Sequence, residues 1–211
     1  MNIGALFDLD GVIIDSETQY TIFWSQIDAE YPTGIPDFAI KIKGTNLQSI
    51  MAKYFSAPGI PADSIVKRLR EFESNMPFDI FPEALRFLGD LKAAGVPRAL
   101  VTSSGNDKMS RLWAAHPGLK SYFDAIVTGE MVSRTKPHPE CFIKGAGMIG
   151  LKPQRCAVFE DSVHGVAAGI ASGAKVVALA TTFPQEVRKS KADKVIDTFA
   201  GFGLAQLKEL F

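Results

Sequence analysis

A chain of 211 residues is long enough for one sizeable domain, or for one domain carrying a smaller insert. Lysine plus arginine number 23 and aspartate plus glutamate 23, so no bulk field draws the protein to nucleic acid or to an anionic membrane. No stretch approaches the ~20 apolar residues that span a bilayer, and the opening MNIGALFDLDG is too short and too acidic for a secretory signal. Cys141 and Cys156 are too few for a disulfide framework and lack metal-ligand spacing. A cytoplasmic protein is therefore expected, a monomer or weak dimer without nucleic-acid or membrane partners.

In chain order, residues 3–7 form a short apolar run ending at Asp8, which suits a strand buried on both faces of a parallel sheet. Residues 16–81 then break the pattern. Amphipathic stretches at 18–30, 47–55 and 62–75 are separated by turn signals, Tyr31-Pro32-Thr33-Gly34 and Ala57-Pro58-Gly59, with no convincing buried strand between them. This block is expected to be an all-helical domain of its own, inserted into a core made of 1–15 and 82–211. From residue 82 the texture alternates. Helices are expected over 82–94, 107–116, 139–149 and 165–172, with apolar strands at 99–101, 125–127, 157–159 and 176–180. Strand and helix in alternation imply an α/β class with a doubly wound, mostly parallel sheet.

Ligands of such sheets bind outside the carboxyl ends of the strands. There the sequence places Phe7-Asp8-Leu9-Asp10-Gly11, whose two carboxylates lie on one side of an extended segment. It also places Phe159-Glu160-Asp161-Ser162 after another strand. Four carboxylates at strand ends form a hard oxygen set suited to Mg²⁺. Leu100-Val101-Thr102-Ser103-Ser104-Gly105 leads from a strand into a helix, where hydroxyls and helix-start N–H groups can hold phosphate oxygens. Lys136, followed by Pro137, adds a fixed cation. A polar strand end with solvated acids is the plainer account of any one of these motifs alone.

Taken in order, Asp8-Leu9-Asp10-Gly11, Thr102, Lys136 and Glu160-Asp161 resemble the four motifs of the haloacid dehalogenase superfamily. The helical insert is similar to the C1 cap of its β-phosphoglucomutase-like and sugar-phosphatase branch. The resemblance covers essentially the whole chain and implies a Rossmann-like core and a Mg²⁺-dependent phosphatase acting on a small phosphorylated metabolite. It further implies Asp8 as the nucleophile that forms an aspartyl-phosphate and Asp10 as general acid and base. Thr102, Ser103 and Lys136 would hold the phosphoryl group, and Asp8, Asp10 (through its carbonyl), Glu160 and Asp161 the metal, with Glu160 direct or through water. Asp10 sets the chain apart from the dehalogenases, which lack it and need no metal.

Two alternatives remain open. One is a β-phosphoglucomutase-like phosphosugar mutase. In those mutases a histidine early in the first cap helix and an arginine in the cap loop grip a second phosphate. Here Tyr20 occupies the helix position and 43–48 reads KGTNLQ, without arginine, although Lys43 could substitute. The other is a catalytically silent binding module. Glu17, Tyr20, Trp24, Lys43, Asn46 and Gln48 are candidates to face the leaving group, with Trp24 better read as core and Tyr20 able to pack and donate. His164 is expected to cap a helix beside the acidic pair, His116 and His138 to be ordinary loop or helix-end residues, and the cysteines buried packing. The charged segment 189–194 is expected to be a solvated connection.

Overall fold

The structure, a computed structural model, describes residues 2–43, 47–182 and 187–211. It divides into two compact units, Met1–Asp15 with Phe78–Phe211, and Ser16–Pro77.

The first unit is built on a six-stranded sheet in the order β3-β2-β1-β4-β5-β6, every pair parallel. The strands are β1 (Gly4–Phe7), β2 (Arg98–Val101), β3 (Ala125–Val127), β4 (Cys156–Glu160), β5 (Lys175–Leu179) and β6 (Lys194–Ile196). Parallel strands need helical crossovers, which cover both faces and explain why β1, β2 and β4 are buried at every position. On one face Leu6, Val101 and Val158 pack with Phe142 and Ala146 of α7 (Glu140–Met148) and with Val166 of α8 (Val163–Ser172). On the other, the ring of Phe7 stacks on Phe159 at 4.6 Å and meets Phe87 of α5 (Pro82–Ala93) edge-on at 6.0 Å. Phe199 and Phe202 complete that aromatic layer. Cys141 and Cys156 are buried and unpaired, and apolar surroundings push the Cys156 thiol up to about 12.

The second unit consists of α1 (Ser16–Glu30), α2 (Phe38–Lys41), α3 (Leu47–Tyr54) and α4 (Ala62–Asn75). Its core is Trp24 against Phe55, with Phe38, Ile27, Ile65 and Leu69 around them. Ile65 and Leu69 lie four apart and so share one stripe of α4. Gly34 and Gly59 hold φ of 73° and 92° in the two turns, a region where side chains clash. Trp24 is thus core, as its helical spacing indicates.

Three elements differ from expectation. Residue 194 opens strand β6 rather than ending a solvated connection; an edge strand of three half-buried residues has no apolar run to announce it. Helix α2 is a single turn entered through Asp37 at φ 55°, too short to show a period. His164 lies exposed in the first turn of α8, which Ser162 caps by accepting from the Gly165 N–H at 3.0 Å. Among the described residues no helix is long and apolar enough to cross a membrane.

Candidate active site

The sheet order explains how distant motifs meet. The chain winds outward from β1 through β2 to β3, then returns to place β4 on the other side of β1, so the crevice at the carboxyl ends opens beside Asp8. In the register, Phe7 faces Phe159 of β4 and Leu100 of β2. The residues at and just past the ends of these three strands, Asp8-Leu9-Asp10, Glu160-Asp161 and Thr102, are therefore carried to one edge. The N–H of Asp8 donates to the Phe159 carbonyl at 3.0 Å, fixing the point where β1 gives way to the site.

Asp8, Thr102, Glu160 and Asp161 are all buried, at 7%, 2%, 1% and 4% exposure. Lys136 enters from the segment between β3 and α7. Its Nζ donates to Asp8 Oδ1 at 2.5 Å and to Glu160 Oε1 at 2.7 Å, and lies 5.1 Å from the centre of the Phe142 ring. Burial works against the Lys136 charge, but the two carboxylates outweigh it and hold the ammonium well above the ordinary lysine range. Asp8 is pushed up to about 7. Burial is the main cause, Lys136 opposes it, and the charges of Glu160 and Asp10 add to it. One ammonium is thus shared by two carboxylates, of which Glu160 has further donors besides.

Those donors come from the start of α8. Glu160 Oε2 accepts from the Ser162 N–H and hydroxyl, each at 2.9 Å. Gly165 is required beside them, since a Cβ there would overlap the Glu160 carboxylate. Asp161 accepts from the Thr182 hydroxyl and lies against Gly11. Gly11 has φ 73°, and a Cβ would strike the Asp161 carboxylate, so conformation and space both demand glycine there. Asp10 Oδ1 receives the ammonium of Lys108 at 2.6 Å and its Oδ2 the hydroxyl of Ser104 at 2.9 Å.

Among the described residues no three His, Cys, Asp or Glu side chains form a ready cage, and Glu160 has both oxygens engaged by Lys136 and Ser162. The donor chemistry nevertheless fits a hard divalent cation. Three carboxylates, Asp8, Asp10 and Glu160, meet two ammonium groups, Lys136 and Lys108, and the buried Asp161 adds a fourth acid. Burial is what chiefly pushes Asp8 up, and the neighbouring acids add to it, so a cation placed there would relieve both.

In the phosphate-binding segment, Thr102 is held by its N–H on the Val127 carbonyl, and its Oγ1 accepts the Ser104 N–H at 2.9 Å. Ser103 is exposed at the turn. The first N–H of helix α6 (Asn106–Ala115) goes to Glu130 Oε1 at 2.8 Å, so it is already engaged. His116 contacts the Phe78 carbonyl through Nε2 at 2.7 Å, and His138 Nδ1 accepts the Glu140 N–H at 3.2 Å.

Within the helical unit, Glu17 and Lys43 pair at 3.5 Å, and the Tyr20 hydroxyl donates to Glu73 at 2.9 Å. These four, with Trp24 as apolar wall, line a cavity of about 230 Å³. Gln48 is exposed, and Asn46 lies outside the described residues.

Ser104 and Ser162 stand in motifs the sequence already marks, whereas no motif marks Lys108, Thr182 or Glu73. For Ser104 and Lys108 a signal did exist: pairing β1 with β2 in parallel brings whatever follows Thr102 over whatever follows Asp8.

A family model for haloacid dehalogenase-like hydrolases matches residues 4–173. Among curated relatives, Hexitol phosphatase A of Escherichia coli is 34% identical over 180 residues, 83% of this chain and 82% of its own length. Glycerol-1-phosphate phosphohydrolase 2 of Saccharomyces cerevisiae is 30% identical over 208 residues, 91% of this chain and 80% of its own length. A crystal structure of a HAD family hydrolase from Deinococcus radiodurans, with bound phosphate and sodium, superposes with a TM-score of 0.81 at 27% identity, covering 98% of this chain and 95% of that one.

Proposed function

The chain belongs to the haloacid dehalogenase-like hydrolase family, and we propose that it is a Mg²⁺-dependent phosphatase of a small sugar or polyol phosphate. The observation that carries this reading is Asp8. It is a buried carboxylate at the end of the central strand, clamped by Lys136, with acids on both sides whose charge calls for a cation.

In this reading an Asp8 oxygen attacks phosphorus, the bond from phosphorus to the ester oxygen breaks, and the Asp10 carboxyl gives its proton to the departing alcohol. Water then attacks the aspartyl-phosphate. Asp10 takes the proton from that water, and the Asp8 carboxylate leaves with its electron pair as inorganic phosphate forms. Lys136, Thr102 and Ser103 supply cation and donors for the phosphoryl oxygens, whose charge must be held while they rearrange. Asp8, the Asp10 carbonyl and Asp161 would hold Mg²⁺, which supplies positive charge to the transferring phosphoryl group. Glu160 serves by fixing Lys136. Asp10 argues against dehalogenation.

Glu17, Tyr20, Lys43 and Glu73 are the residues proposed to set preference for the leaving group. Their cavity supports hydrolysis over mutase chemistry: among the described lining residues the one lysine, Lys43, is paired with Glu17, and Glu73 adds a second carboxylate, a poor grip for a second phosphate. The test is inorganic phosphate release from a panel of hexitol, glycerol and sugar monophosphates, with Mg²⁺ or EDTA. Release from at least one ester, lost with EDTA and in Asp8→Asn, is the expected result. Isomer formed from a hexose 1-phosphate faster than free phosphate would overturn it in favour of the mutase.

A further inference from the structure

We propose that Thr182 is a positioning residue for the metal site, holding the Asp161 carboxylate in the rotation from which it meets Mg²⁺. The proposal rests on the reading of Asp161 as a metal-holding acid given above. Thr182 lies shortly after β5, and β5 is separated from β1 only by β4. The parallel register sets Ala178 of β5 beside Glu160 of β4, so the chain leaving β5 comes to lie beside Asp161. There the Thr182 hydroxyl donates to Asp161 Oδ2, and the hydroxyl of its neighbour Thr181 donates to the Gly11 carbonyl at 2.7 Å. Two adjacent hydroxyls thus tie the end of β5 to both loops that carry the proposed ligands.

Gly11 shows how closely the three segments meet. A Cβ built there would overlap the Asp161 carboxylate and lie 2.7 Å from Thr182 Oγ1. Asp161 and Thr182 are 4% and 7% exposed, so bulk water is no ready substitute for the bond between them. The terminal torsion of an aspartate is broad and sets no direction of its own. A donor on one oxygen therefore decides where the other points. Thr182 does this with a neutral group. The ammonium of Lys136 goes to Asp8 and Glu160 and that of Lys108 to Asp10, where each offsets negative charge. A hydroxyl orients Asp161 and leaves its charge for the cation.

Such orientation matters to Mg²⁺ in particular. Mg²⁺ demands near-ideal octahedral geometry at about 2.0–2.1 Å, whereas Ca²⁺ accepts about 6–8 oxygens in flexible arrangements. A carboxylate released to rotate should therefore cost Mg²⁺ more than Ca²⁺. Loss of charge or of fold would weaken both alike.

The experiment is metal binding to the metal-free full chain, read by the EPR signal of free Mn²⁺ and by displacement of bound Mn²⁺ with Mg²⁺ or Ca²⁺. Wild type is compared with Thr182→Val, Thr182→Ala and Thr182→Ser, each checked for folding by circular dichroism in EDTA. In the Val and Ala variants the Mg²⁺ dissociation constant is expected to rise about 10- to 100-fold, the usual effect of losing a partner that orients a ligand. That for Ca²⁺ should rise by less than about threefold. Thr182→Ser keeps the hydroxyl and should bind Mg²⁺ within about threefold of wild type. The Ala and Ser variants differ by that hydroxyl alone, so this pair decides the matter even if the Val variant does not fold. In phosphate release, the Mg²⁺ concentration giving half the maximal rate should move with the dissociation constant. Wild-type Mg²⁺ affinity in Thr182→Ala, equal losses for Mg²⁺ and Ca²⁺, or a loss that Thr182→Ser shares would overturn the proposal. Asp161→Asn separates the two readings. If it binds Mg²⁺ like wild type, Asp161 holds no metal and this inference falls with that role; if it loses Mg²⁺ while Thr182→Ala keeps it, only the role of Thr182 falls.

Discussion

The sheet unit and the helical unit solve opposite problems. The sheet unit buries charge. Asp8, Glu160 and Asp161 sit almost without solvent at strand ends, each held by a cation, a hydroxyl or a backbone N–H. The helical unit buries rings, Trp24, Phe23, Phe38 and Phe55, and keeps its ion pairs toward solvent or its cavity. Buried charge demands defined partners and so fixes geometry, whereas apolar packing demands mainly volume and tolerates exchange of similar side chains. A phosphatase needs both properties: one unvarying centre for the phosphoryl group, and a lining that changes with the leaving group.

The sharpest way to break this contrast is to change charge in the sheet unit without changing shape. Asp8→Asn should lower kcat by at least ~10³-fold, because the amide is no nucleophile. Its melting temperature should hold or rise, since one of two carboxylates competing for Lys136 is gone. Phosphate release and calorimetry on the same preparation decide this; a protein that melts far earlier would show that Asp8 is structural. Lys136→Met is the converse change. It leaves Asp8 and Glu160 facing each other in a buried place without their cation, so stability should fall by about 3–5 kcal/mol in denaturant titration. Combining it with Glu160→Gln should recover part of that loss, and strict additivity of the two changes would show that the pair is not coupled.

The two units also differed in how readable they were. Ala62–Asn75 is legible end to end because Ile65 and Leu69 mark a stripe and Asn75 breaks it. The β3 strand is legible because three apolar residues fall between Asp124 and Thr128. The acids of the site could be picked out because parallel strands end where the chemistry begins, and the order of motifs is itself a signal. The partners could not. Lys108 and Thr182 reach Asp10 and Asp161 only through the sheet order, which no local pattern encodes, and Glu73 meets Tyr20 across 53 residues of chain. Elements of three or four residues, such as β6 and α2, are set by the neighbours they pair with and carry no period of their own.

A smaller change tests how tightly the centre is fixed. Gly11→Ala places a side chain at φ 73° and against the Asp161 carboxylate. The left-handed conformation alone costs about 1–2 kcal/mol, and Asp161 must also move. Activity is expected to fall at least ~10-fold, since a small misplacement of a carboxylate proposed to hold the metal is felt strongly. A variant that keeps wild-type kcat would mean that Asp161 has more freedom than its Thr182 and Gly11 contacts imply.

The smallest effect is expected in the helical unit, at a polar contact in its cavity wall. Tyr20→Phe removes the hydroxyl that donates to Glu73 at 2.9 Å and leaves the ring, which meets Phe72 edge-on at 5.7 Å. The bond is half-buried and neutral on the donor side, so its loss should cost about 0.5–1.5 kcal/mol of stability. The packing that holds the unit together is untouched. What should move is preference. With the Tyr20 hydroxyl gone from beside Glu73, the ratio of kcat/KM between a hexitol phosphate and glycerol phosphate should shift by about 3- to 10-fold, the size of one hydrogen bond's worth of discrimination. The reaction at Asp8 should proceed by the same steps. Equal loss on every ester would place Tyr20 in the chemistry instead, and the division between a rigid charged centre and an adaptable lining would fail at that residue.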